Sequence, residues 1–89
     1  MNKAIAIDPS LDEAYLRRGM VFLDQELYKD ALDYLNQCID ISRKKKYLIE
    51  AFKQRAILWI LRGRYREAIR DVRSGIQLYA LRLSLALLE

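Results

Sequence analysis

Three kinds of side chain in this sequence could do chemistry. They are the Cys38 thiol, the carboxylates of Asp12-Glu13, Asp30 with Asp33 and Glu67 with Asp71, and the arginines Arg62, Arg66, Arg70 and Arg73. Paired carboxylates can divide acid and base roles when their surroundings push their pKa values apart. A thiolate can act as a nucleophile. Arginines spaced by four, four and three share one side of a helix and could hold phosphate or carboxylate groups.

None of these sets is completed by a partner. The chain has no histidine, which removes the commonest general base and the commonest metal ligand. A single cysteine makes neither an internal disulfide nor a zinc site, and Leu35, Ile39 and Ile41 around Cys38 point to burial. Gly19, Gly63 and Gly75 are isolated, so no phosphate-cradling loop is present. Asp12, Glu13 and Asp30 stand at expected helix starts, where the macrodipole favours acids. Glu67 and Asp71 are expected on an outer helical face, paired with Arg70 or Arg73. No catalysis, metal or cofactor is expected.

The elements behind these residues read as helices. Eighty-nine residues allow one small domain, and only three Gly and one Pro punctuate them, too few turn residues for a strand-rich fold. A 31% charged, 53% hydrophobic composition is that of a soluble globular chain. No secretory signal follows Met1-Asn2-Lys3. The apolar stretch Leu78 to Leu88 is interrupted by Arg82 and Ser84, short of the ~20 residues a bilayer span needs. An intracellular, cytoplasmic setting without membrane insertion is expected. Residues 1–42 carry four basic and eight acidic side chains (−4), whereas residues 43–89 carry twelve and four (+8).

The chain repeats itself. A shift of 37 places sets Glu13-Ala14-Tyr15 over Glu50-Ala51-Phe52, Arg18-Gly19 over Arg55-Ala56, and Phe22 over Trp59. It also sets Tyr28 over Tyr65, Ala31-Leu32 over Ala68-Ile69, and Ile39 over Ile76. A shift of 34 sets Ala4-Ile5 over Cys38-Ile39 and Ile7 over Ile41. Within each copy Tyr15, Gly19 and Phe22, then Tyr28, Ala31, Leu35 and Cys38, recur at helical spacing. Each copy is thus expected to be a helix, a tight turn and an antiparallel helix, with Gly63 ending the first helix of the second copy. Gly19 and Ala56 are expected where helix axes cross closely, facing Ala31 and Ala68, and Gly75 at another tight contact.

An aromatic, a small residue four places on, a large aromatic three later, Tyr after the turn and Ala three beyond resemble the tetratricopeptide repeat. Ala4-Ile5-Ala6-Ile7-Asp8-Pro9 resembles the ending of such a repeat. The resemblance implies an all-α fold of antiparallel helix–turn–helix repeats stacked as an α-solenoid. Residues 1–9 would end a truncated repeat, 12–45 and 49–82 form two repeats, and 83–89 extend the last helix or begin a capping helix. Neither full repeat closes with Asp-Pro, so the second helix of the first is expected to run to about Lys45, and that of the second toward Leu88.

The resemblance also implies a protein-binding scaffold without catalysis. Successive first helices of this family line a concave groove, here Glu13, Leu16, Arg17, Met20, Leu23, Lys53, Gln54 and Ile57, where a peptide or protein segment would lie. Met20, Ile57 and Ile60 could instead pack against a neighbouring helix. The family's carboxylate clamp would need Lys and Asn where Leu16 and Met20 stand and Asn where Gln54 stands, so that activity is not expected. A second reading uses the basic residues Arg43, Lys44, Lys45, Lys46, Arg62, Arg66, Arg70 and Arg73 to bind an acidic protein tail or nucleic acid. Nucleic acid is the disfavoured partner, since no aromatic stacking platform accompanies the cations. A third reading is self-association, or stacking on neighbouring repeats of a longer chain, through Leu78, Leu81, Leu85 and Leu88. Folding of that helix back on the second repeat is its alternative.

Overall fold

The computed structural model describes residues 11–88. The expected repeat ending at 1–9 and the last residue lie outside the described residues. Four helices follow in order: α1 (Leu11–Asp24), α2 (Tyr28–Ile41), α3 (Lys45–Leu61) and α4 (Tyr65–Leu87). No strand occurs among the described residues. α1 pairs with α2 and α3 with α4, while α3 also packs on α2 and, less extensively, on α1. α4 touches α3 alone among these elements. The resulting slab measures 42 × 38 × 17 Å. A helix with its side chains is about 10–12 Å across, so a slab this thin leaves broad faces uncovered.

The two hairpins turn in the same way, 37 residues apart. α1 ends at Asp24 and α3 at Leu61, and α2 starts at Tyr28 and α4 at Tyr65. In the first turn the Leu27 N–H donates to the Phe22 carbonyl at 2.9 Å and the Glu26 N–H to that of Leu23 at 3.0 Å. In the second, the Arg64 N–H donates to the Trp59 carbonyl at 2.7 Å and the Gly63 N–H to that of Ile60 at 3.0 Å. Both are Schellman caps, which need one left-handed residue. Gly63 supplies it at φ 74° and Glu26 at φ 62°.

Close packing inside the first hairpin centres on Gly19. A β-carbon there would sit 2.8 Å from Leu35 Cδ2 and 2.9 Å from its Cγ, so α1 and α2 meet where only a glycine fits. Leu16, Leu23, Ala31, Leu35, Cys38, Ala51 and Leu58 form the core around this contact. Phe22 stacks on Tyr34 with ring centroids 5.5 Å apart. Gly75 is different from the expectation. A β-carbon there would meet Phe52 at an ordinary 3.7 Å, so no close crossing depends on it.

The connection between hairpins also departs from the expectation. α2 stops at Ile41, not near Lys45, because Ser42 is extended at ψ 138°. Its buried hydroxyl donates to Asp12 Oδ2 at 2.7 Å and accepts from the Lys44 N–H at 3.2 Å. Asp12 stands in the first turn of α1, as expected, where its Oδ1 accepts the Glu13 N–H at 2.8 Å, and it is also the buried partner of Ser42. Lys45 and Lys46 open α3, so the basic residues 43–46 are divided between the connection and a helix start. At the other end α4 runs unbroken to Leu87, so residues 78–87 extend the helix and do not fold back.

Candidate functional site

Of the residues expected to line a concave groove, the structure withdraws two. Leu16 and Leu23 belong to the buried core, because α3 lies across the first hairpin and covers them. Met20 is half-buried at the edge of that core. Glu13 and Arg17 are satisfied locally: Arg17 donates from Nη2 and Nε to Glu13 Oε2 at 2.7 and 3.2 Å, and the Tyr47 hydroxyl donates to Glu13 Oε1 at 3.2 Å. The Arg17 guanidinium, then the Tyr47 hydroxyl, hold the Glu13 carboxyl below its usual range. Lys53 lies 3.6 Å from Glu50, which also accepts from Gln54 Nε2 at 2.8 Å. Exposed pairs like these contribute little to stability, but they occupy both expected cations.

Among the described residues the most apolar concavity lies elsewhere, between α3 and α4. A groove of about 350 Å³ is lined by Ile49, Lys53, Ala56, Ile57, Ile60, Val72, Gly75, Ile76 and Tyr79, with Asp71 at its base. Its walls are almost wholly apolar. The 37-residue register explains why it is there. Ile60 corresponds to Leu23, Val72 to Leu35, Gly75 to Cys38 and Ile76 to Ile39. In the first hairpin these positions lie under or beside α3, and Leu23 and Leu35 are 7% and 0% exposed. In the second hairpin nothing among the described residues lies over them, and Ile60, Val72 and Ile76 are 49%, 44% and 62% exposed. The groove is thus the counterpart of a surface that α3 fills one unit earlier.

One wall is held by a buried polar network. Asp71 accepts from Arg55 Nε and Nη2 at 2.7 and 2.8 Å and from Trp59 Nε1 at 2.9 Å. Arg55 also donates from Nη1 to Asn36 Oδ1 at 2.7 Å, which ties α3 to α2. The expectation that Asp71 lies on an outer face and pairs with Arg70 or Arg73 is therefore corrected: it points inward and fixes α4 on α3. Glu67 pairs with Arg64 at 2.6 Å, and its carboxyl is held below its usual range chiefly by its own backbone N–H and then by Arg64. Sequence reasoning passed over Arg55, Asn36 and Trp59. The signal was the exchange of Tyr34 for Asp71 at one register position beside an arginine common to both copies, Arg18 and Arg55.

The basic residues divide. Arg62 caps α3 and lies over the Tyr28 ring at 5.4 Å, so it is not on α4 with Arg66, Arg70 and Arg73. Those three are exposed, and none is in an ion pair among the described residues. Lys44 and Lys46 flank the Tyr47 ring at 5.8 and 5.0 Å, and Arg43 is exposed. Leu78 is half-buried, whereas Leu81, Leu85 and Leu88 are exposed along the end of α4. Cys38 is buried, and desolvation, then the nearby Asp12 charge, push its thiol up to about 11, which leaves it unreactive at neutral pH.

Among the described residues no helix is long and apolar enough to cross a membrane. No family model matches the chain, and comparison with curated proteins and with solved structures finds no match.

Proposed function

We propose that the chain is a non-catalytic protein-interaction module, two tetratricopeptide-like units of an α-solenoid, that takes an amphipathic helix into the α3–α4 groove. One observation carries this reading: the equivalent surface of the first hairpin already holds a helix, α3, and buries Leu23, Leu35 and Cys38 beneath it. A groove walled by Ile57, Ile60, Val72 and Ile76 suits the i, i+3, i+4 and i+7 side chains of such a ligand. The exposed cations Arg66, Arg70 and Arg73 on α4, which form no ion pair among the described residues, favour acidic residues flanking that apolar face. An intracellular setting accords with the reading, because the lone, buried Cys38 needs no oxidising compartment.

Selection of displayed amphipathic peptides against the intact chain tests it, with an Ile76→Glu variant used for counter-selection. Ile76 is exposed, so the variant is expected to fold. Peptides that bind the chain and lose binding to Ile76→Glu and Ile57→Glu support the groove. Recovery of no peptide, or of peptides indifferent to both substitutions, defeats it.

A further inference from the structure

We infer that the occupant of the α3–α4 groove is α1 of a second copy of this chain, docked head to tail. The inference rests on the helix-accepting groove proposed above and names what fills it. The template is intramolecular. α3 presents Leu48, Ala51 and Leu58 where its register counterparts on α1 are Leu11, Ala14 and Val21. Ala51 and Leu58 are fully buried by the docking of α3 on the first hairpin. Leu11 and Val21 form the same apolar pattern on α1 and are exposed. Among the described residues, one uncovered end of the molecule therefore repeats the helix face that the other uncovered end is shaped to receive.

Charge supports the same polarity. The α1–α2 half is acidic and the α3–α4 half basic, −4 against +8 over residues 1–42 and 43–89. Head-to-tail contact alternates these signs, whereas pairing two copies through α4 would place Arg66, Arg70 and Arg73 against their own images. The contact joins two different surfaces, so it leaves a free groove at one end and a free α1 at the other, and it propagates.

The register also identifies a weak point. The Arg55–Asn36 hydrogen bond that ties α3 to α2 has Arg18 and Arg73 as its counterparts, two like charges. The contact seats one helix in one groove, so association is expected to be reversible and to grow with chain concentration. Arg73→Asn restores the acceptor that Asn36 provides and tightens association about tenfold.

Sedimentation of the intact chain at low salt, with the exposed-site variants Val21→Glu and Ile76→Glu, tests the inference. Circular dichroism checks that both variants remain helical. The expected result is that the unsubstituted chain grows beyond dimers with concentration, and each variant alone is monomeric. An equimolar mixture then gives a 1:1 heterodimer, because one variant keeps the groove and the other keeps α1. A monomeric mixture, association surviving in Val21→Glu, or weaker association in Arg73→Asn overturns it. If copies fail to associate but selected peptides still bind in an Ile76-dependent manner, the second copy is wrong and the groove stands. If both fail, the groove reading falls as well.

Discussion

Leu35 and Val72 occupy one place in two helical hairpins, 37 residues apart, and only Leu35 is covered. The helix that covers it is α3, and the space over Val72 is the α3–α4 groove. The side chains opposite have adjusted in step. Gly19 faces Leu35, and its counterpart Ala56 lines the groove with the smaller Val72. A methyl group has moved from one helix to the other while the crossing is kept.

Gly19→Ala is expected to destabilise the chain, despite the roughly 1 kcal/mol by which alanine is the better helix residue. The new β-carbon would lie 2.8 Å from the terminal carbon of a fully buried Leu35, which has little room to yield. Overpacking of this kind costs about 1–3 kcal/mol. Urea unfolding measures the change, and Gly19→Ala combined with Leu35→Val, the pairing found in the second hairpin, is expected to recover most of it.

Removal of the Asp71 carboxylate is expected to cost about 3–5 kcal/mol, since it leaves Arg55 partly buried without its counter-charge. A double-mutant cycle with Arg55→Met checks the source. The double variant is expected to be more stable than Asp71→Ala alone, because no uncompensated charge remains. The indole N–H of Trp59 loses its acceptor in both, and its fluorescence reports the change.

Glu26→Gly is expected to raise stability by about 1 kcal/mol. Glu26 adopts φ 62° in the Schellman cap where the second hairpin has Gly63, and a residue with a β-carbon is strained there. Gly63→Ala, the reverse change, is expected to lower the melting temperature even though open space surrounds that position.

Alkaline pH is expected to destabilise the chain through Cys38. Its thiol ionises near 9 when unfolded and is pushed up to about 11 by burial when folded. Between these values the unfolded state releases a proton that the folded state keeps, so stability is unaffected below pH 9 and falls as the pH climbs toward 11. A single group contributes a slope of at most about 1.4 kcal/mol per pH unit. Comparing the slopes of the chain and Cys38→Ala isolates it from the lysines and tyrosines. Alkylation of the native thiol at neutral pH is expected to be slow and to accelerate with urea.

The hairpins were legible in the sequence because local spacing specifies them. The stripe Tyr15, Gly19, Phe22 and its copy Phe52, Ala56, Trp59 located the helices, and Gly63 located a turn. What was hidden depends on contacts between distant segments. Asp12 is legible as a helix-start acid, but not as the buried acceptor of Ser42, thirty residues away. Asp71 reads as an outer-face acid until Arg55 and Trp59 converge on it from α3. Leu16 and Leu23 share a face with Met20 and read as a binding surface, because the spacing of α1 alone does not reveal that α3 crosses it. The 37-residue register contained the groove, but only once one of two equivalent surfaces was seen to be filled.

The most direct measurement is the methyl spectrum of the isotopically labelled chain during titration with a peptide recovered by the selection described above. The helix-accepting groove requires that Ile57, Ile60, Val72 and Ile76 shift together while Ile39 and Ile41, which do not line it, stay fixed. Shifts confined to Met20 and its neighbours on α1, or saturable binding with the four groove methyls unmoved, would contradict it.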